Sequence, residues 1–315
     1  MTTAEKNIIQ GKYKLCGILG KGHFGTVCKG IVLKTKKHVA IKLESKEVPI
    51  TSLRHESMIL RHLNGKHVSC VPELIYYGIQ DQYYCLVMSY YDEGCLNDSI
   101  LELEHIDEWW IQTCHILNHV HAQGVVHRDI KPEHFMKKTI GKNTTQWHLI
   151  DFGLATTYWD DGCVHVSETK EKHSTITGSP NWISVHVHKG ETPVRRDDYI
   201  SLVYIFIDLC LQTIDQELPW KDKYGGVENT TSATNQLYIQ EKSWDCLGEY
   251  ITKSILNHEE KKTFNTLGFI CSRLRFSDKP PYEQIAMGEL LTTGKTKRLD
   301  LDLDLGSELN LDLSS

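Results

Sequence analysis

The chain has 315 residues, with 35 Lys and Arg against 41 Asp and Glu, a formal balance of -6. That length suits one large or two-lobed unit and leaves little room for two unrelated domains. Without a basic excess, a nucleic-acid backbone is excluded as the main partner. The opening residues MTTAEKNIIQGKYK carry no apolar run of the kind a secretory signal needs, so a cytoplasmic or nuclear location is expected.

Up to about Met88 short alternating apolar segments surround one helix, and beyond it helical periodicities dominate, so two lobes of α+β class are expected. In ILGKGHFGTV, Gly20, Gly22 and Gly25 fall at GxGxxG spacing ahead of Val27. Glycine lets backbone N–H groups approach phosphate oxygens with no Cβ in the way. A dinucleotide-binding fold requires a helix straight after the last glycine, whereas VCKGIVL continues as a strand, which favours a hairpin lying over phosphates. An ordinary glycine-rich turn gives the same letters.

Alternation in VAIKL puts Val39, Ile41 and Leu43 on one face of a strand and Ala40 with Lys42 on the other. The segment SLRHESMILRHLNG places Leu53, Glu56, Leu60 and Leu63 on one helical stripe that stops at Asn64-Gly65. A carboxylate in an apolar stripe calls for a cation, and Lys42 is the candidate for Glu56.

Asp107 is expected to cap a helix whose stripe includes Trp110, Cys114, Leu117 and His121, with Gly124 as its stop. His115, His119 and His121 lack a carboxylate or Cys to complete a metal set and read as surface or packed residues; Trp109 and Trp110 read as core. Two short apolar strands follow, GVVH and WHLI, the first leading into HRDIKPEHF and the second into DFG. The apolar stretch from Tyr199 to Leu211 is broken by Ser201 and Asp208 and falls short of the roughly 20 residues that span a bilayer. It reads as a buried helix, and no membrane partner is expected. The ten Cys are scattered with no CxxC pair, which points to reduced thiols. From Arg298 the tail alternates Leu with acidic or polar residues. It is solvated or docks a partner as an added strand.

The glycine loop, VAIK, HRD and DFG occur in the order of the protein kinase signature. AIKLE, HESMIL, TGSPNWIS, RRDDYISL, LPW and LRFSDKP resemble segments of the casein kinase 1 family, from about Tyr13 to about Leu291. TGSPNWISVHVHKG stands where most kinases carry APE, and Ile183-Ser184-Val185-His186 resembles the SIN-like sequence of that family. The resemblance implies a two-lobed kinase fold: a small antiparallel-sheet lobe with one helix over 13–88, then the hinge and a mainly helical lobe over 89–292. Residues 1–12 form an extension and 293–315 the tail.

The implied chemistry is transfer of the γ-phosphoryl of ATP to protein Ser or Thr, KPE after the catalytic Asp being the Ser/Thr form. Lys42 would hold the α and β phosphates with Glu56 as its partner, and Asp151 would bind magnesium. Asp129 would orient the substrate hydroxyl and accept its proton, and Lys131 would neutralise charge on the moving group. Leu19, Gly20, Gly22, Gly25, Val27 and Ala40 would enclose the nucleotide, with Met88 as gatekeeper and Ser89, Tyr90 and Tyr91 as hinge. Asp198 would steady the catalytic loop.

Five positions depart from the family pattern. His134 stands where the second metal ligand is Asn, and imidazole suits manganese better than magnesium, which prefers oxygen. Asn181 replaces an Arg that reads phosphorylated or acidic substrates, although Arg195 and Arg196 remain. Val203 replaces a Gly, and Asp92-Glu93 follow the hinge. Thr156, Thr157, Ser167, Thr169, Ser174, Thr175 and Thr177 are candidate phosphorylation sites with Arg128 as partner. A monomer is expected. The rival class is a pseudokinase scaffold, favoured by His134; a non-kinase nucleotide-binding protein requires setting aside HRD and DFG together.

Overall fold

Alternate burial along the central strand separates two apolar layers in the small lobe. A computed structural model describes residues 7–22, 25–47, 52–98, 103–140, 144–159, 164–168, 172–173, 175–224 and 231–282. Its sheet runs β1(Ile8–Ile9), β2(Tyr13–Gly22), β3(Gly25–Val32), β4(His38–Ser45), β6(Tyr83–Ser89), β5(Leu74–Gln80) in spatial order, all antiparallel. Val39 and Ile41 pack with Ile9, Tyr13, Cys28, Cys85 and Val87 on one face. Ala40, Leu86 and Met88 point the other way and join the core that continues into the large lobe. Period-two alternation therefore aims Lys42 at the cleft.

Helix α1(Ser52–Gly65) keeps the expected bounds, and Leu53, Glu56, Leu60 and Leu63 are all buried. Its first turn contains no acidic residue. Glu44 of β4 supplies the missing acceptor, taking the amides of Ser52 and Leu53 at 3.2 Å each.

The large lobe is built on α2(Leu103–Ala122) and α4(Arg195–Gln212), with α3(Val185–His188), α5(Ser232–Glu241), α6(Trp244–Lys253) and α7(His258–Arg273) around them. Every residue of α4 from Arg196 to Leu211 is buried, so the apolar stretch is a core helix. Among the described residues no helix is long and apolar enough to cross a membrane. Trp110 stacks on Phe206 at 4.6 Å and Trp109 meets Phe135 edge-on.

The expected cap at Asp107 is displaced: α2 starts at Leu103, and Asp107 lies buried inside it. Burial of Ile106 at 1 % exposure rewards the extra turn. No disulfide joins the cysteines among the described residues. Short strands β7(Val125–Val126), β8(Phe135–Ile140), β9(Thr144–Leu149) and β10(Thr156–Thr157) frame the cleft floor, β8 pairing with β9 and β7 with β10. The architecture is two-lobed α+β, a sheet lobe with one helix above a helical lobe. The alternating tail and the candidate phosphorylation sites Thr169 and Ser174 lie outside the described residues.

Candidate active site

The glycine run closes the β2–β3 hairpin, with Gly22 opposite Gly25 and Gly20 opposite Val27. Gly25 is at φ +110, and a Cβ there would stand 2.2 Å from the carbonyl oxygen of Leu43. Only glycine fits this approach of β3 to β4. Gly20 and Gly22 have open space around them, and Leu19 is 49 % exposed beside them. His23 and Phe24 at the tip lie outside the described residues.

Below the hairpin, Lys42 Nζ donates to Glu56 at 2.8 and 3.0 Å and to Asp151 Oδ1 at 2.8 Å. The pair expected from the apolar stripe is thus formed, and Asp151 joins it. Burial alone would lower the Lys42 pKa, but Glu56 and Asp151 outweigh it and hold the ammonium above its usual range. Burial would likewise raise Asp151, yet Lys42 first and His134 second keep it well below the usual carboxylate range. Asp151 sits at φ 64, at the start of the turn that buries Phe152 against His127.

The loop after β7 carries Asp129. Asp198 of α4 accepts the amides of His127 at 2.6 Å and Arg128 at 2.8 Å, and also His121 Nε2–H at 2.9 Å. Those bonds hold Arg128 at φ 68, a conformation that a non-glycine residue keeps only when its surroundings impose it. The hydroxyl of Tyr282 donates to the other ring nitrogen of His121. Asp129 Oδ2 faces Lys131 Nζ at 3.0 Å, and Oδ1 accepts the amide and hydroxyl of Ser179 at 2.9 and 2.8 Å. Burial alone would raise Asp129, but His134, Lys131 and Ser179 together lower it, so the carboxylate is ionised at neutral pH.

His134 bridges the two carboxylates. Its Nδ1–H donates to the Asp129 carbonyl at 2.9 Å, and Nε2 lies 3.6 Å from Asp151 Oδ2. Burial pushes this imidazole down to about 4. At neutral pH Nε2 then presents a lone pair beside a carboxylate oxygen. Two acceptors at that spacing fit a cation between them, and a nitrogen-oxygen donor pair favours manganese over magnesium. Among the described residues no cluster of three or more His, Cys, Asp or Glu could hold a metal alone. A cation here needs further oxygens, which phosphates supply.

At the back of the cleft Met88 pairs with Ala40 across the sheet and is buried, followed by Ser89, Tyr90 and Tyr91. Tyr91 turns its ring inward to His148 at 4.8 Å, leaving its backbone as the part that can meet a base. Arg128, expected to meet a phosphate, donates its Nε–H to the Leu154 carbonyl at 2.6 Å. Arg196 is buried and paired with Glu191 and Asp197, while Arg195 reaches Tyr158 and the Ser277 carbonyl. Asn181 donates to Asp222 at 2.8 Å.

Ser179 and Tyr282 did not stand out in the sequence. A serine in a loop and a tyrosine after a proline pair carry no local mark of a contact made 50 and 161 residues away. The sequence matches the family described as "Protein kinase domain" over residues 13–272.

Proposed function

This chain belongs to the protein kinase family, and on that premise we propose that it is an active Ser/Thr kinase of the casein kinase 1 type, acting on protein substrates. What carries the reading is the continuous line of ionisable side chains Glu56, Lys42, Asp151, His134, Asp129, Lys131, each within 3.7 Å of the next. Such an array grips negative charge at both ends of a transferred group.

Lys42, placed by Glu56, draws in the phosphate chain under the hairpin glycines. Backbone groups of Ser89 and Tyr91 receive the base against Met88 and Ala40. Asp129, ionised and aimed by Ser179, accepts the hydroxyl proton of the substrate as that oxygen attacks. Lys131, beside both Asp129 and Ser179, stabilises charge on the moving phosphoryl group, and this electrostatic positioning is the main source of rate. Asp151 and His134 are the residues that would hold a divalent ion, which when bound neutralises phosphate charge.

The test is incubation with labelled ATP and casein, alongside Asp129→Asn, with acid hydrolysis to identify the labelled residue. Phosphoserine or phosphothreonine made by the wild type and lost in the variant is the expected result. Label on tyrosine would refute the Ser/Thr assignment. A wild type no faster than the variant, yet still binding nucleotide, would establish the pseudokinase that His134 favours.

A further inference from the structure

Lys242, one residue past α5, has 0 % exposure, and among the described residues no carboxylate pairs with it. Its Nζ lies 5.3, 5.4 and 5.2 Å from the ring centroids of Tyr204, Trp220 and Tyr238. It donates to the carbonyls of Pro180 at 2.6 Å and Ile183 at 2.7 Å. Burial drives the pKa of this amine well below its usual range, and three ring faces and two carbonyl oxygens surround it.

The surrounding groups converge on the same short loop. Trp220 Nε1–H donates to the Asn181 carbonyl at 2.9 Å, and the Tyr238 hydroxyl donates to the Asn181 side chain at 3.0 Å. His188, stacked on Tyr238, places its Nε2 3.2 Å from the Pro180 carbonyl. At the loop's start, Ser179 binds Asp129, and Gly178 packs so closely on the Arg128 carbonyl that a Cβ would meet it at 2.4 Å.

We propose that Lys242 is a positioning residue for the protein substrate, clamping the Pro180–Ile183 loop from beneath so that Ser179 aims Asp129 and the loop offers the peptide a fixed edge. This rests on the kinase reading above. The lysine touches neither nucleotide nor reacting atoms, and acts through Pro180, Ile183 and Ser179. A buried amine with no carboxylate beside it is costly to keep, and its two donor contacts both go to the Pro180–Ile183 loop.

Lys242→Met keeps the length of the chain and removes the donors. Its expected effect is a loss of about thirtyfold in kcat/KM for the protein substrate, with the KM for ATP within twofold of wild type. Lys242→Arg retains the donors and should recover most of the loss. Trp220→Phe removes one donor from the clamp while keeping the ring, and should show a smaller loss of the same kind if Lys242→Met does not fold. Unchanged peptide kinetics in a folded Lys242→Met, or in Trp220→Phe where that variant alone folds, would overturn the proposal. So would a KM for ATP that rises in step. A wild type that transfers no phosphate condemns the kinase reading and with it the clamp, whereas an active wild type beside unaffected variants condemns the clamp alone.

Discussion

Lys42 lies 2.8 Å from both Glu56 and Asp151, so one ammonium ties the helix of the small lobe to the strand end of the large lobe. Replacing it with Met should lower kcat/KM by about a hundredfold to a thousandfold, the usual loss for one fixed electrostatic group. It should also reduce unfolding free energy by about 3 kcal/mol, because Glu56 is left buried without its cation. Steady-state kinetics and a denaturant midpoint check both, and a variant retaining half of wild-type activity would contradict the assignment.

His134 next to Asp151 predicts a shifted metal preference. The ratio of initial rate in manganese to that in magnesium should be higher in wild type than in His134→Asn by about tenfold, since the substitution trades a nitrogen donor for an oxygen. Equal ratios would remove His134 from the metal site.

Gly25 should not tolerate a side chain. With φ at +110 and the Leu43 carbonyl in the way, Gly25→Ala forces β3 from β4. A rise in KM for ATP and a stability loss of about 1–3 kcal/mol are expected. Gly20→Ala, where the space is open, should be milder in stability, and thermal melts of the two variants compare them.

Acid should destabilise the fold through buried histidines. Burial pushes His148 down to about 4 and His188 to about 3, below the ordinary 6.5. The unfolded chain therefore binds these protons first, so the contribution is complete above pH 6.5 and shrinks as pH falls towards those lower values. Each ring should cost about 1.4 kcal/mol per pH unit in that window. Denaturant midpoints at pH 7 and pH 5 should separate, and His148→Phe should narrow the gap; an unaltered gap would mean His148 is charged in the fold.

Much of this was legible in the chain because it depends on local period. The alternation of VAIKL and the stripe in SLRHESMILRHLNG identify Lys42 and Glu56 as partners, and they meet as expected. The HRD and DFG strings mark Asp129 and Asp151 by type and order. What local period cannot carry is a contact between separate elements: Ser179 on Asp129, Tyr282 on His121, and Glu44 capping α1 from the strand before it. Lys242, in the polar string QEKSW, reads as one more solvated charge until three separated aromatic rings fold around it. Asp107 does not cap the helix because its capping chemistry competes with an apolar turn just ahead of it, and burial wins.

The carboxylate of Asp198 sets an order of assembly during synthesis. His127 and Arg128 leave the ribosome about seventy residues before the group that fixes their backbone, and the ring of His121 waits 161 residues for Tyr282. The turn that carries Asp129 lacks the acceptor for its two amides until α4 has emerged and docked. Chains cut short before that helix carry the turn without the carboxylate that shapes it.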